Sequence, residues 1–191
     1  MLFRSQVFEA ETTEQVAEWR HNKTDVHTQI KIMADIIKEL HSVVKDDKRI
    51  YYSVENNTLG EAALISIAEY GEENIPGYFL SDNSVTGSNG RKWRKGFNTT
   101  NKSKLTACNK LKILIESNRM KINSKPLISE LKTFVATGNS YEAKPGETDD
   151  LVMATLLSVR MMQLLQSYHA EMDNQMRDRS EEHTSELQSH V

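Results

Sequence analysis

Residues 51–58, Tyr-Tyr-Ser-Val-Glu-Asn-Asn-Thr, contain the transition that decides the fold. The aromatic and β-branched run Arg49–Val54 predicts a short, buried, central strand. Glu55 and the polar residues after it end that strand, and Leu59–Tyr70 resumes with the apolar spacing of an amphipathic helix. A buried strand that leads directly into a helix is typical of an α/β layer structure.

The rest of the chain continues this alternation of strands and helices, which predicts a mixed sheet flanked by helices. The other predicted strands are Leu2–Glu9, Gln15–Arg20, Tyr78–Leu80, Lys121–Ile122 and Ser140–Ala143, and the first two form a hairpin. The other predicted helices are Thr28–Val44, a helix capped by Thr99 or Thr100 that ends near Ser117, Leu127–Val135 and Leu151–His169.

Length and composition predict one domain of residues 1–170 and a disordered tail of residues 171–191. Within the tail, Arg179–Val191 resembles the translation of a common sequencing adapter, so we exclude it from the fold. The single cysteine, Cys108, rules out an internal disulfide and a cysteine-rich zinc site. No apolar run approaches the roughly 18 residues that span a bilayer, so no membrane partner is expected.

Charge is distributed unevenly along the chain, although the formal net charge is only -3. Between Asn83 and Ile115 there is no Asp or Glu, and eight Lys or Arg residues fall there. Such a segment predicts a surface that binds the phosphates of a polyanion, and the alternative is a solvated loop. The candidate DNA-binding residues are Arg91, Lys92, Arg94, Lys95, Lys102 and Lys104.

Acidic residues stand at the ends of two predicted elements. Glu55 follows the central strand, and Asp149 and Asp150 precede the last helix. Carboxylate oxygens without accompanying His or Cys suit Mg²⁺ or Mn²⁺ better than zinc. The alternatives are a solvated glutamate and an N-cap in which Thr148 is followed by an acidic first turn.

Three segments, in this order, resemble the C-terminal nuclease domain of large terminase subunits from tailed, myovirus-type bacteriophages: Tyr51–Gly60, Gly96–Thr100 and Gly146–Ala154. Lys121–Phe134 and Gln15–Thr24 add to the likeness, which extends from about Val7 to about Leu165. The resemblance implies an RNase H-like fold and a metal-dependent endonuclease that cuts concatemeric viral DNA during head packaging.

The resemblance also implies a site of three acids that holds two Mg²⁺ or Mn²⁺ ions. Glu55 matches the second acid, and Asp150 or Asp149 matches the third, with Asp150 favoured. Asn56 is the expected orienting neighbour. The first acid, an Asp on a strand before Leu2–Glu9, has no match, so we expect the fragment to be truncated and to have weak activity or none.

Partners follow from the same resemblance. They are double-stranded DNA and, in the intact parent, the portal and the small terminase subunit, in the host cytoplasm. No Gly-x-x-x-x-Gly-Lys-Ser/Thr loop of the packaging ATPase occurs in the chain. Two alternatives stay open: a non-catalytic DNA-binding or docking module of the same fold, and another RNase H-like nuclease such as a Holliday-junction resolvase.

Overall fold

The computed structural model describes residues 4–82, 95–138 and 140–168. Its helices are α1 (Val26–Val44), α2 (Thr58–Tyr70), α3 (Asn101–Glu116), α4 (Lys125–Thr133) and α5 (residues 150–168). Its strands are β1 (Arg4–Glu9), β2 (Glu14–Arg20), β3 (Tyr51–Tyr52), β4 (Tyr78–Phe79), β5 (Phe134–Thr137) and β6 (Ser140–Ala143). The chain therefore has the predicted α/β composition.

The hairpin predicted at the start of the chain is confirmed. β1 and β2 pair antiparallel, with Arg4 opposite Arg20 and a bulge between Val7 and Phe8. β2 is tied to a distant part of the chain by a parallel bridge, in which the Gln15 amide donates to the Lys121 carbonyl at 2.9 Å. The strand predicted at Lys121–Ile122 is thus a single bridge, because only one residue of it pairs.

Residues 50–56 form one extended segment that is longer than β3 itself. β3 pairs in parallel with β4, and the carbonyls of Ile50 and Tyr52 accept from the amides of Tyr78 and Leu80, both at 2.8 Å. Even-numbered residues of the segment are buried and odd-numbered ones are partly exposed. Because successive side chains of a strand point to opposite faces, Tyr51, Ser53 and Glu55 share the more open face.

The hydrophobic core collects around the buried face of this segment. The side chains of α1 and α2 pack there, and the fully or nearly fully buried members of the cluster are Ile30, Ala34, Ile37, Ile50, Tyr52, Val54, Ala63, Ile67 and Ile75. Burial also raises the pKa of the Tyr52 phenol to about 12. The open face of the segment therefore remains available for polar side chains.

At two boundaries, residues predicted to lie in one element belong to a different one. Arg49 belongs to a short 3-10 turn, Asp47–Arg49, and not to the strand. Phe134 and Val135, predicted as the end of a helix, lie in β5, which pairs antiparallel with β6. Phe134 stacks on Tyr141 with ring centroids 6.0 Å apart, and this cross-strand pair favours the hairpin over another helical turn.

The strands of the described residues pair as three two-stranded sheets, β1-β2, β3-β4 and β5-β6. The chain divides into two compact units, Met1–Val159 and Arg160–Val191, and the division falls within α5. Among the described residues, no helix has the length and apolar character to cross a membrane. The tail predicted at residues 171–191 and the start of the strand predicted at Leu2 lie outside the described residues.

Replacing Ile67 by Ala tests the core. Ile67 is 2% exposed, so the substitution leaves a cavity beneath α2 and should lower the free energy of unfolding by about 2–5 kcal/mol. The matched control is Ile65→Ala on the same helix, because Ile65 is 61% exposed and its loss should cost well under about 1 kcal/mol. Urea unfolding followed by circular dichroism measures both, and equal losses would contradict the assigned core.

Replacing Glu14 by Gln tests how the hairpin is held. The Glu14 carboxylate accepts hydrogen bonds from Lys121 Nζ at 2.6 Å and Asn123 Nδ2 at 3.1 Å, which lower the pKa of Glu14 from its ordinary value of 4.5. A lowered pKa stabilises the fold above pH 4.5, and this contribution is lost as pH falls through the folded-state pKa. The stability gap between wild type and Glu14→Gln should therefore close on acidification.

The melting temperature of both proteins, measured from neutral to strongly acidic pH, gives that gap directly. Glu73→Gln, at an exposed residue in another turn, is the control and should show no such gap at neutral pH. A gap for Glu14→Gln that stays constant at all pH values would show that the carboxylate does not stabilise the fold through its charge.

Candidate functional site

Glu55 lies at the end of the extended segment, and backbone pairing on both sides holds it in place. The Phe97 amide donates to the Val54 carbonyl at 3.0 Å, and the Asn56 amide donates to the Phe97 carbonyl at 2.8 Å. This parallel bridge continues the ladder beyond β3. The half-buried Glu55 side chain is thus carried by rigid backbone, as a metal ligand or catalytic group requires.

The side chain of Asn57 links Glu55 to the start of α2. Its Oδ1 accepts from the Gly60 amide at 3.0 Å, which is the hydrogen bond of an N-cap. Its Nδ2 lies 3.2 Å from Glu55 Oε2 and donates to it. One amide group therefore caps the helix and orients the carboxylate.

Asn56, the predicted orienting neighbour, is buried on the opposite face of the segment. Its Nδ2 donates to the Lys95 carbonyl at 2.9 Å, and its Oδ1 is a buried oxygen without a hydrogen-bond partner in the described part of the chain. The contact to the Glu55 carboxylate comes from Asn57 instead. The alternation of side chains along the extended segment explains the difference, because residues 55 and 56 point to opposite faces.

Two glycines let neighbouring backbone approach Glu55 closely. A Cβ at position 60 would lie 1.7 Å from the Glu55 carbonyl oxygen, and a Cβ at position 96 would lie 2.6 Å from the Val54 carbonyl oxygen. Gly96 also has φ of +82°, a conformation that L side chains rarely adopt. Both residues belong to segments that carry the sequence resemblance, so the resemblance at these positions has a steric reason.

The second acidic position, Asp149–Asp150, is organised by Glu130 of α4. Glu130 Oε2 accepts from the amides of Leu151 and Val152 at 2.8 and 3.2 Å, and its Oε1 accepts from the Thr148 hydroxyl at 3.0 Å. Burial is the main cause that raises the pKa of Glu130, and the nearby Asp150 carboxylate adds to it. The cap that the alternative interpretation assigned to Thr148 is therefore supplied by a side chain of another helix.

Lys104 of α3 approaches this acidic turn. Its Nζ lies 4.0 Å from Asp149 Oδ2 and 5.5 Å from the centroid of the Phe134 ring, and its side chain is only 17% exposed. Such a cation is engaged with the protein and is not displayed on an open surface. The structure thus gives Lys104, predicted to bind DNA, a partner within the protein.

The other predicted DNA-binding residues divide into two groups. Lys95 forms an ion pair with Glu72 and lies over the Phe79 ring, while its side chain stays 60% exposed. Lys102 is exposed in the first turn of α3. The remaining three, Arg91, Lys92 and Arg94, lie outside the described residues.

The acidic side chains of the described residues are not gathered into one cluster of metal ligands. Among the described residues, no group of three or more His, Cys, Asp or Glu side chains is placed to hold a metal ion, so Glu55, Asp149 and Asp150 do not form one such group. Their hard oxygen donors nevertheless suit Mg²⁺, which commonly binds through one or two carboxylates, waters and substrate phosphates. The metal-ligand assignment of these three residues stays a prediction.

Sequence reasoning missed two residues of the site, Glu130 and Asn57. Asn57 carried a signal, because Asn directly before a helical pattern is a common N-cap. Glu130 carried none, since it caps a helix that begins twenty residues further along the chain. Local spacing cannot indicate a cap that comes from a separate helix.

The alternation of short strands and helices in the described residues places the chain in the α/β class. The family model described as the terminase RNaseH-like domain matches residues 7–162, and the chain belongs to this family. This membership favours a terminase nuclease over a Holliday-junction resolvase.

Solved structures share the fold. The large terminase nuclease from thermophilic phage G20c with bound magnesium has a TM-score of 0.56 and 18% identity, covering 81% of this chain and 71% of that one. The same nuclease with bound cobalt has a TM-score of 0.56 and 16% identity, covering 84% of this chain and 80% of that one. The predicted RNase H-like fold is confirmed.

Replacing Gly60 by Ala tests the close packing at Glu55. The added Cβ meets the Glu55 carbonyl, so α2 and the strand end must separate, and we expect a loss of about 3 kcal/mol in unfolding free energy. The control is Gly146→Ala, where nothing lies within 4 Å and only the φ of +87° opposes the change, at a cost of about 1 kcal/mol. Chemical denaturation measures both, and a Gly60→Ala loss no larger than the control's would contradict the contact.

Proposed function

We propose that this chain is the nuclease part of a large terminase that cuts concatemeric double-stranded viral DNA during head packaging. Its partners would be the portal and the small terminase subunit in the host cytoplasm. Membership of the terminase RNaseH-like domain family carries the proposal. The rigidly held strand-end Glu55 supports it, because such a carboxylate is what a phosphodiester-cleaving site needs.

Glu55 and Asp150 would hold Mg²⁺ or Mn²⁺, with Asp149 as an additional or alternative ligand. Bound metal would supply an activated water and neutralise phosphate charge. The bound magnesium and cobalt in the phage G20c nuclease support a divalent metal in this role. Asn57 orients the Glu55 carboxylate, and Lys104 offsets the negative charge beside Asp149.

DNA would be held through its phosphates by the basic residues of the acid-free segment. We retain Arg91, Lys92, Arg94, Lys95 and Lys102 for this role. Lys104 is left out because its side chain is only 17% exposed and its ammonium group lies 4.0 Å from Asp149 Oδ2. Phosphate contacts of this kind give affinity that falls with salt concentration, and they do not select sequence.

A third acid would come from a strand upstream of β1, as the family resemblance implies. The sheet pairing supports this part of the proposal. Among the described strands, β1 pairs only with β2 and β3 pairs only with β4, so each has an edge with backbone groups that a further strand can pair. Without that strand the chain would have weak nuclease activity or none.

A plasmid-nicking assay with Mg²⁺ or Mn²⁺ tests the proposal by comparing this chain with one extended upstream. The extended chain should cut, and Glu55→Ala or Asp150→Ala in it should abolish measurable cutting because each removes a metal ligand. The matched control is Glu61→Ala, an exposed carboxylate in the first turn of α2, which should leave cutting unchanged.

Two results would contradict the proposal. Full activity in the short chain that Glu55→Ala leaves unchanged would remove both the incomplete site and the role of Glu55. DNA binding that is metal-independent and steeply salt-dependent, without cutting by the extended chain, would indicate the non-catalytic docking module instead.

A further inference from the structure

The carboxylate of Glu130 forms more specific contacts with the acidic turn than any side chain within that turn. It accepts three hydrogen bonds, from the Thr148 hydroxyl and from the amides of Leu151 and Val152. The donors flank Asp149 and Asp150 on both sides. The backbone of the aspartate pair is therefore fixed to α4.

These amides have no partner within α5, because the first N–H groups of a helix lack intrahelical acceptors. The carbonyl of Asp149 already accepts the first helical hydrogen bond, from the Met153 amide at 2.8 Å. A side chain of the turn itself usually supplies the cap, and here Glu130 does so from a different helix. Asp149 and Asp150 are thereby released from the capping role.

We propose that Glu130 is a positioning residue that holds Asp149 and Asp150 in the geometry needed to bind a divalent cation. The inference rests on the proposed function, since it concerns the metal ligands of that site. Ligands have to be held to within about half an ångström of the productive geometry, which requires support from neighbouring hydrogen bonds. Glu130 supplies that support at the point where the turn becomes a helix.

Glu130 acts through the aspartates and not as a ligand itself. Its Oε1 is engaged by Thr148 and its Oε2 by two amides, so both oxygens already have donors. What Glu130 contributes is the reach and the acceptor oxygens of its side chain. Its negative charge is not required for this role.

Two substitutions distinguish the effect of the length of the Glu130 side chain from the effect of its charge. Glu130→Asp keeps the charge but is one methylene shorter, so it cannot meet the amides of Leu151 and Val152 at the present distances. Glu130→Gln loses the charge but keeps an oxygen that can accept from both amides, while its NH₂ group can donate to the Thr148 hydroxyl. If Glu130 acted through its charge, the two variants would rank in the opposite order.

The experiment is a Mn²⁺ titration of the 191-residue chain, followed by paramagnetic broadening of the Asp149 and Asp150 amide signals in NMR spectra. Losing a residue that orients metal ligands commonly weakens metal affinity by about tenfold or more, and we expect this for Glu130→Asp. Glu130→Gln should stay closer to wild type. Glu142→Gln, an exposed carboxylate in β6, is the control and should match wild type.

Thr148→Val gives a second measurement in case the Asp variant does not fold. It removes an exposed hydroxyl partner of Glu130, so the fold should survive and the Mn²⁺ affinity should fall in the same direction by a smaller factor. Circular dichroism checks that each variant is folded. Unchanged affinity in Thr148→Val and in a folded Glu130→Asp would overturn the positioning role.

Failure of the proposed function gives a different result. If the wild-type amide signals of Asp149 and Asp150 respond to Mn²⁺ neither in this chain nor in the chain extended upstream, the metal site itself is wrong, and the positioning role falls with it. If wild type responds and Glu130→Gln loses more affinity than Glu130→Asp, only the positioning role is overturned.

Discussion

Backbone pairing along residues 50–56 is the interaction on which the rest of the described structure depends. The carbonyls of Ile50, Tyr52 and Val54 accept from three amides of later segments, so every second residue is tied into a parallel ladder. The same alternation buries the even-numbered side chains against α1 and α2 and leaves Glu55 on the open face. Core packing and site geometry thus have one common cause, which is the register of this strand.

Much of this fold could be predicted from the sequence because its signals are local. The N-cap at Thr100 is one example, since its hydroxyl accepts from Ser103 and a capping box forms as the helix starts. The start of β5 is a counterexample. Phe134 continues an apolar helical pattern, and only its stacking on Tyr141 of β6 decides for a strand. A partner beyond the local window overrides the local pattern in such cases.

The residues of the candidate site also fall into two groups, those that the local sequence indicates and those that only the folded structure brings in. Glu55 could be found because a polar residue directly after a buried strand is visible in the sequence. The partners of the aspartate pair could not be found, since Glu130 and Lys104 reach it from two other helices. The acid-free basic segment illustrates the limit most clearly. Three of its lysines, Lys95, Lys104 and Lys112, lie within ion-pair distance of carboxylates of the protein, and composition alone cannot distinguish that from binding a polyanion.

Both candidate acidic positions lie at the N-terminus of a helix, where unpaired amides carry partial positive charge that favours anions. The two helices are capped differently, and the difference has an electrostatic consequence. At α2 the cap is the neutral amide of Asn57, so the capping group itself adds no negative charge beside Glu55. At α5 the cap is the Glu130 carboxylate. Burial raises the pKa of Glu130, and the nearby Asp150 carboxylate raises it further.

Three carboxylates, those of Glu130, Asp149 and Asp150, therefore lie at the start of α5, and the negative charge of Asp150 disfavours the ionised form of Glu130. Lys104, which lies 4.0 Å from Asp149, supplies one compensating positive charge. Glu130 acts at this corner through its acceptor oxygens. The proposal that Asp149 and Asp150 bind a divalent cation rests on the family to which the chain belongs.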